Sequence, residues 1–354
     1  MSDLHLFSPL TLRSLTLKNR IGVSPMCQYS SIEGFANEWH LVHLGSRAVG
    51  GAALVFTEAT AVTPAGRISP YDLGIWSDSH IEYLTRITDF IHKQGALPGM
   101  QLAHAGRKGS TQRPWEGGSG IDQTKKGWQV VAPSALPFTQ DSLMPIALNT
   151  LQIQDIVQAF KEAAKRALAA NFKIVEIHSA HGYLLHEFLS PLSNMRTDQY
   201  GGSFENRIRL LLEVVEAIRE VWPDEYPLFV RISATDWQEN GWSIADSVLL
   251  SQHLKEKGVD VVDCSSGGNL AQVTIPSGAG YQTGFADTIR HEAKIATAAV
   301  GMIISATQAD HIIRSGQADF VLLARGMLND PYFPLHAARE LAQPMPWPVQ
   351  YAVV

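Results

Sequence analysis

Short runs of apolar residues recur along the chain at 21–25, 52–57, 97–102, 174–178, 228–232, 259–264, 301–305 and 320–323. Each is followed by glycine or polar residues and then by a stretch of helical periodicity. Several of the eight runs are apolar at nearly every position, the pattern of parallel strands covered on both faces rather than of half-exposed antiparallel ones. Between them, Ile153, Ile156, Val157, Phe160, Ala164 and Ala167 in 151–170 form one apolar stripe, as do Phe204, Ile208, Leu211, Leu212, Val215 and Ile218 in 203–222. Ser203 and Ser243 stand where N-caps belong, and Gly258 stops a helix just before the next strand. Eight strand–helix alternations with no second kind of region predict one α/β domain over 1–354, a closed (β/α)8 TIM barrel. The rival, a doubly wound open sheet, normally carries a glycine fingerprint. Here Gly118-Ser119-Gly120 and Gly278-Ala279-Gly280 lie in loop-like sequence, and neither completes G-x-G-x-x-G.

Two segments fall outside the alternation. Residues 6–20 alternate apolar and polar positions and predict a hairpin that plugs the barrel base. Residues 106–149, rich in Gly and Pro, form a long excursion after the third strand, a length typical of lids and binding loops. Trp115, Trp128 and Phe138 give that excursion apolar surface to lay over a planar ligand.

Composition narrows the function classes. Of 354 residues 45% are apolar and 18% charged, ample for a large core and far from a disordered chain. A net charge of −6 without basic runs gives no footprint for nucleic acid or an anionic membrane. Only Cys27 and Cys264 occur, which speaks against a disulfide framework and against a cysteine-built zinc or iron–sulfur site. The first residues lack a signal-peptide pattern and no apolar run is long enough to cross a bilayer, so the expectation is a cytoplasmic protein.

In such a barrel the active site lies at the C-terminal ends of the strands. Those ends read Pro25-Met26-Cys27-Gln28-Tyr29, Thr57-Glu58-Ala59, Gln101-Leu102-Ala103-His104, His178-Ser179-Ala180-His181-Gly182-Tyr183, Arg231, Ser265-Ser266-Gly267-Gly268 and Ala324-Arg325-Gly326. Imidazole, phenol, thiol, amide and guanidinium outnumber carboxylates, a set suited to binding and polarising an electron-rich ligand. His178 and His181 are either structural histidines or paired donors. A metal is not expected, because barrel metal sites gather further carboxylates or histidines. Arg231 is alone in an apolar run, where a charge is costly unless paired. It is either half of a buried ion pair or a ligand-facing cation.

The stretches at 25–29, 58–60, 101–108 and 178–183, with Asn194-Met195-Arg196-Thr197-Asp198-Gln199-Tyr200-Gly201-Gly202-Ser203-Phe204-Glu205-Asn206-Arg207, resemble the Old Yellow Enzyme family. Cys27 with Tyr29 resembles its bacterial branch of xenobiotic reductases and NADPH dehydrogenases. The resemblance implies a non-covalent FMN at the barrel mouth, reduced by NADPH and reducing activated alkenes such as small enones. It implies that His178 and His181 donate to the substrate oxygen, that Tyr183 protonates the α-carbon and that Tyr29 lines the substrate pocket. Ser24, Pro25, Met26, Cys27, Ala59, Gln101 and Arg231 would hold the flavin ring, and Ala324 with Arg325 its phosphate. Arg107 and Lys108 are candidates for a dinucleotide phosphate. Departures from the family pattern are Ala324-Arg325 for Gly-Arg, Ser305-Ala306-Thr307 where some relatives have Gly-Trp, and Val353 in place of an arginine that reaches a neighbouring subunit. A homodimer or higher homo-oligomer is expected all the same. The rivals are an iron–sulfur dienoyl-CoA reductase, which the two cysteines oppose, a barrel hydrolase using His178, His181 and His186, and a flavin binder without efficient turnover.

Overall fold

In the computed structural model, which describes residues 4–122, 124 and 127–351, strand and helix alternate from residue 21 onward. A hairpin of β1 (Leu10–Leu12) and β2 (Leu15–Leu17) precedes β3 (Ile21–Val23), α1 (Glu38–Val49), β4 (Leu54–Ala61), α2 (Ile81–Lys93) and β5 (Leu97–Ala103). The excursion carries β6 (Val131–Ala132) and β7 (Ile146–Ala147). Then come α3 (Thr150–Ala169), β8 (Ile174–Ser179), α4 (Leu184–Leu189), α5 (Phe204–Arg219), β9 (Leu228–Ser233), α6 (Ile244–Glu256) and β10 (Val261–Ser265). The chain closes with α7 (Thr283–Ala293), β11 (Ala296–Ala299), α8 (Ala306–Arg314), β12 (Phe320–Leu323), α9 (Arg325–Asn329) and α10 (Phe333–Glu340).

Strands β3, β4, β5, β8, β9, β10, β11 and β12 pair in that order, and β12 returns to β3 through Val321↔Ile21 and Leu323↔Val23. The expected (β/α)8 barrel is therefore present. Its helices start where the sequence places caps: Ser203 accepts from the Asn206 amide, and Ser243 forms a capping box with Asp246. Gly258 follows α6 with φ +84°, a left-handed turn that glycine adopts without strain.

The seventh strand corrects the sequence reading. It is Ala296–Ala299, not 301–305. Small residues of weak strand propensity hide it, whereas the more apolar run after it is a turn. Gly301 at φ +117° and Met302 at φ +50° leave extended geometry, and Ser305 then caps α8.

Alternation along each strand sorts the core into two parts. Outward-facing residues such as Val23, Val55, Leu102, Val175, Ile177, Val230, Ile232 and Cys264 pack against the helices. Inward-facing Leu54, Phe56, Ile174, Phe229, Val261, Ala298, Phe320 and Leu322 fill the lower barrel, joined by Leu12 and Leu17 of the hairpin. The hairpin thus closes the base as expected. Two residues higher the filling turns polar, with Gln101, Glu176, Arg231 and Asp263 all buried. The barrel has an apolar floor and a charged layer beneath its mouth. Val353 lies outside the described residues.

Candidate functional site at the barrel mouth

His178 is the third inward residue of β8, above Ile174 and Glu176. Beyond the strand the chain turns through His181 (φ +59°) and Gly182 (φ +71°). That turn packs on the loop after β10. A Cβ on Gly182 would lie 2.2 Å from the Gly268 carbonyl oxygen, and one on Gly268 would lie 2.7 Å from the His181 Cα. The close approach fixes His181 beside His178, with ring centroids 5.2 Å apart, and the Tyr183 ring lies 5.0 Å from His178 on its other side.

The hydrogen bonds set the imidazole protons. The Ala180 amide donates to His178 Nδ1 at 3.3 Å, so the neutral ring carries its proton on Nε2. Ser265 Oγ lies 2.6 Å from His181 Nε2 but 3.4 Å from Gln282 Oε1. With the hydroxyl proton in the shorter contact, the His181 proton sits on Nδ1, the tautomer that leaves its N–H for a ligand. Burial, reinforced by the positive charges of Arg231 and Lys108, holds both imidazoles well below their ordinary pKa. The pair is therefore two neutral rings with one N–H donor each. Burial also pushes the Tyr183 phenol well up.

Lys108 locks this arrangement. Its ammonium donates to the carbonyls of His181 (2.8 Å) and Gly268 (3.0 Å) and lies over the rings of Phe138 and Tyr183. Burial lowers its pKa to about 8. Arg107 is equally committed, donating to the Asn269 carbonyl at 2.7 Å. Arg107 is thus buried and Lys108 half-buried, both tied to backbone carbonyls rather than standing as an exposed basic pair.

Below the imidazoles, Arg231 pairs with Asp263 at 3.0 Å and donates from Nη1 to Ser24 Oγ at 3.1 Å. It is an ion-pair residue, but one whose partner lies one strand away in the same buried layer. Gln101 donates from Nε2 to Glu176 Oε1 at 2.8 Å and stands in register with Ala59, which a bulge in β4 between Phe56 and Ala59 re-aims. Pro25, Met26, Cys27 and Tyr29 are half-buried along the rim after β3. Glu58 anchors that rim: its carboxylate accepts from the Gln28 amide and sits 3.0 Å from His40 Nε2. Burial and the negative charges of Asp72 and Glu58 push the Cys27 thiol well up, so it stays protonated.

At the far side, Ala324, Arg325 and Gly326 with 300–304 line a cavity of about 260 Å³. Arg325 is exposed at the start of α9, whose first amides have no intrahelical acceptor. A second cavity, of about 360 Å³, opens from Tyr183 under the excursion and is lined by Thr111, Ser119, Phe138, Asp141 and Leu143. Of the excursion aromatics, Trp115 meets Tyr29 edge-on and Phe138 covers Lys108, whereas Trp128 lies under Arg67 and donates to the Ala65 carbonyl. His186 is drawn out of the mouth, with Asp236 3.2 Å from Nε2 and the Gly182 amide on Nδ1.

Glu176 and Asp263 complete the site without having been singled out from the sequence, and Lys108 and Ser265 enter it in roles other than those the sequence suggested. The first two carry the signal that exposed Arg231, a charge inside an apolar run, and were readable by the same rule.

The profile of the NADH:flavin oxidoreductase / NADH oxidase family matches residues 5–343. The chain belongs to this family. It is 50% identical over 348 residues to an NADPH dehydrogenase of Bacillus velezensis, covering 98% of each chain. Identity to the NADPH dehydrogenase of Bacillus licheniformis is 49% over 353 residues, 99% of each. The solved structure of morphinone reductase, of the Old Yellow Enzyme group, superimposes with a TM-score of 0.81 at 29% identity, over 97% of this chain and 91% of that one. As a member of the NADH:flavin oxidoreductase family, the protein is an FMN-dependent oxidoreductase. The mouth suits that cofactor: the Arg231 guanidinium and the Gln101 amide belong to a buried layer in which Glu176, Arg231 and Asp263 carry orphaned polar atoms, and a cavity of about 260 Å³ lies at the start of α9.

Proposed function

We propose that the protein is an ene-reductase: with NADPH as reductant it reduces the activated C=C bond of small α,β-unsaturated carbonyl compounds, and nitro compounds, by a ping-pong cycle through one pocket. The observation that carries this reading is the pair of neutral imidazoles, each with one proton to donate, set against a phenol at the barrel mouth. When bound, FMN would supply the redox chemistry, hydride transfer through its N5 between NADPH and the alkene β-carbon.

Ser24, Pro25, Met26 and Cys27 would hold the ring from the rim. Gln101 would hydrogen-bond its pyrimidine side while Ala59 leaves room for the ring, Arg231 would meet its N1–C2 carbonyl edge, and Ala324 with Arg325 its phosphate. His178 through Nε2 and His181 through Nδ1 donate to the substrate oxygen, where negative charge grows as the β-carbon is reduced. Fixed donors stabilise that charge more than they stabilise the ground state. Rings so reluctant to take a second N–H proton polarise the carbonyl as neutral hydrogen-bond donors. Tyr183 gives its phenolic proton to the α-carbon; its elevated pKa holds that proton until a strongly basic carbon faces it. Tyr29 lines the pocket and hydrogen-bonds the ligand. Cys27, kept as a thiol, modulates the ring without acting as a nucleophile.

The test is to purify the protein, record its visible spectrum, add NADPH without oxygen, and then add 2-cyclohexenone. The expected course is a yellow protein that bleaches and recovers its colour. A colourless preparation that takes up no FMN overturns the reading.

We further place the enzyme in the cytoplasm as a homo-oligomer. Supporting this are two free cysteines, the lack among the described residues of a helix long and apolar enough to cross a membrane, and exposed Ile32, Trp39 and Val42 beside the Tyr29 rim. Light scattering after gel filtration should give a mass above the 38.8 kDa of one chain.

A further inference from the structure

The charged layer beneath the mouth does not balance. Glu176 on β8, Arg231 on β9 and Asp263 on β10 occupy adjacent strands, all buried. Asp263 stands in register with Arg231 and its carboxylate lies 3.0 Å from the guanidinium. That contact uses the charge of the cation in the cluster. Glu176 is left with Gln101, whose Nε2 donates to Oε1 at 2.8 Å, while Oε2 is buried without a hydrogen-bond partner among the described residues. The Asp263 oxygens likewise lack a hydrogen bond of good geometry. His178, two residues up the same strand, is a neutral ring and offers no countercharge.

A second ionised carboxylate in a closed barrel, without a cation of its own, is the costly state. Burial, with repulsion from Asp263, drives the Glu176 pKa well above the ordinary carboxylate range, against the pull of Arg231 and Gln101. Protonation also resolves the geometry. An O–H at Oε2 removes the uncompensated charge from the unpartnered oxygen, while Oε1 remains the acceptor for Gln101.

We propose that Glu176 is a neutral carboxylic acid that acts as a positioning residue: it holds the Gln101 amide nitrogen inward, so that the amide oxygen is presented to the barrel mouth. Resting on the FMN reading, the consequence is that Gln101 offers an acceptor to the ring N–H of a flavin's pyrimidine edge. The layer beneath the ring then carries one positive and one negative charge and no excess.

Infrared spectroscopy of the holoenzyme at pH 7, with ¹³C-labelled glutamate, tests this. The expected result is a buried carboxylic-acid carbonyl band that shifts with the label and is missing in Glu176→Gln. Because the amide mimics the neutral acid, Glu176→Gln should keep FMN affinity within about twofold, whereas Glu176→Leu, which frees the Gln101 amide, should weaken it about tenfold, the worth of one hydrogen bond. A raised folded pKa gives stability that is complete at low pH and lost as pH climbs through that value. The melting temperature of Glu176→Gln should therefore gain on the wild type as pH rises from 5 to 9. If that variant fails to fold, Glu176→Asp, which takes this acid out of the ¹³C-glutamate signal, decides, and the band of buried Glu187, whose pKa is raised to about 8, stays as the internal reference. A labelled acid signal that is unchanged when Glu176 is replaced, or Glu176→Gln weakening FMN as much as Glu176→Leu does, overturns the proposal. A protein with the band but no affinity for FMN supports the neutral acid and sinks the cofactor reading instead.

Discussion

At the scale of single residues, the imidazole pair derives its behaviour from what surrounds it rather than from its own titration. Burial and two nearby cations hold both rings neutral, so enone reduction should show no acid limb of imidazole origin between pH 6 and 8; a kcat/KM profile with 2-cyclohexenone checks this. Replacing His178 and His181 together by Ala should abolish tight binding of phenolate ligands and slow enone reduction about 10²-fold or more, read from ligand-induced spectral changes and steady-state rates. Tyr183→Phe removes the proton source and should lower enone turnover by about 10²-fold, while the NADPH half-reaction, measured by stopped flow, stays within a few-fold. The imidazoles, Tyr183, Gln101 and Arg231 were legible because rare polar residues at strand ends stand out against apolar runs. The role of Lys108 was not. A lysine beside a flexible loop reads as solvent-exposed, and only the fold brings the carbonyls of His181 and Gly268 to its ammonium.

Elements were legible in proportion to how strongly their residues prefer one conformation. The caps at Ser203 and Ser243 were evident from side-chain chemistry, and Ser243→Ala should cost about 1 kcal/mol, measurable by denaturant unfolding. Strand β11 escaped because Ala296–Ala299 offers little side chain to bury, and the Gly301–Met302 turn beside it is more apolar than the strand. The turn carrying His181 is an element in its own right, set by contact with the loop after β10. Gly182→Ala places a methyl carbon 2.2 Å from the Gly268 carbonyl at a left-handed φ, so the two loops must part. The variant should lose phenolate binding far more than thermal stability, and a crystal structure should show His181 displaced from Ser265.

For the molecule as a whole, the closed barrel separates support from chemistry along its axis. The floor is apolar and sealed by the amino-terminal hairpin, where Leu17 is buried against the lower barrel; Leu17→Ala should cost about 2–5 kcal/mol in unfolding free energy and leave kcat unchanged at temperatures where the protein is folded. Cooperative closure made the architecture readable from eight runs even with one misplaced, because the remaining strands leave room for a single parallel partner between β10 and β12. The charge balance of the layer above was harder to read. Each of Glu176, Arg231 and Asp263 looks like an isolated exception in its own strand, and they become one group only when neighbouring strands are set side by side.

The long stretch between β5 and α3 is fastened at its ends. Arg107 binds the Asn269 carbonyl at one, and Arg196 donates to the Pro133 and Leu148 carbonyls at the other. Beyond Lys108, which is tied to the His181 turn, the described residues of that stretch roof the cavity beside Tyr183, and none of them belongs to the layer of Gln101, Glu176, Arg231 and Asp263. A graft of that roof from a relative, or a gene library randomised across it, would therefore explore which acceptor molecules are admitted while the machinery that moves the electrons is inherited intact.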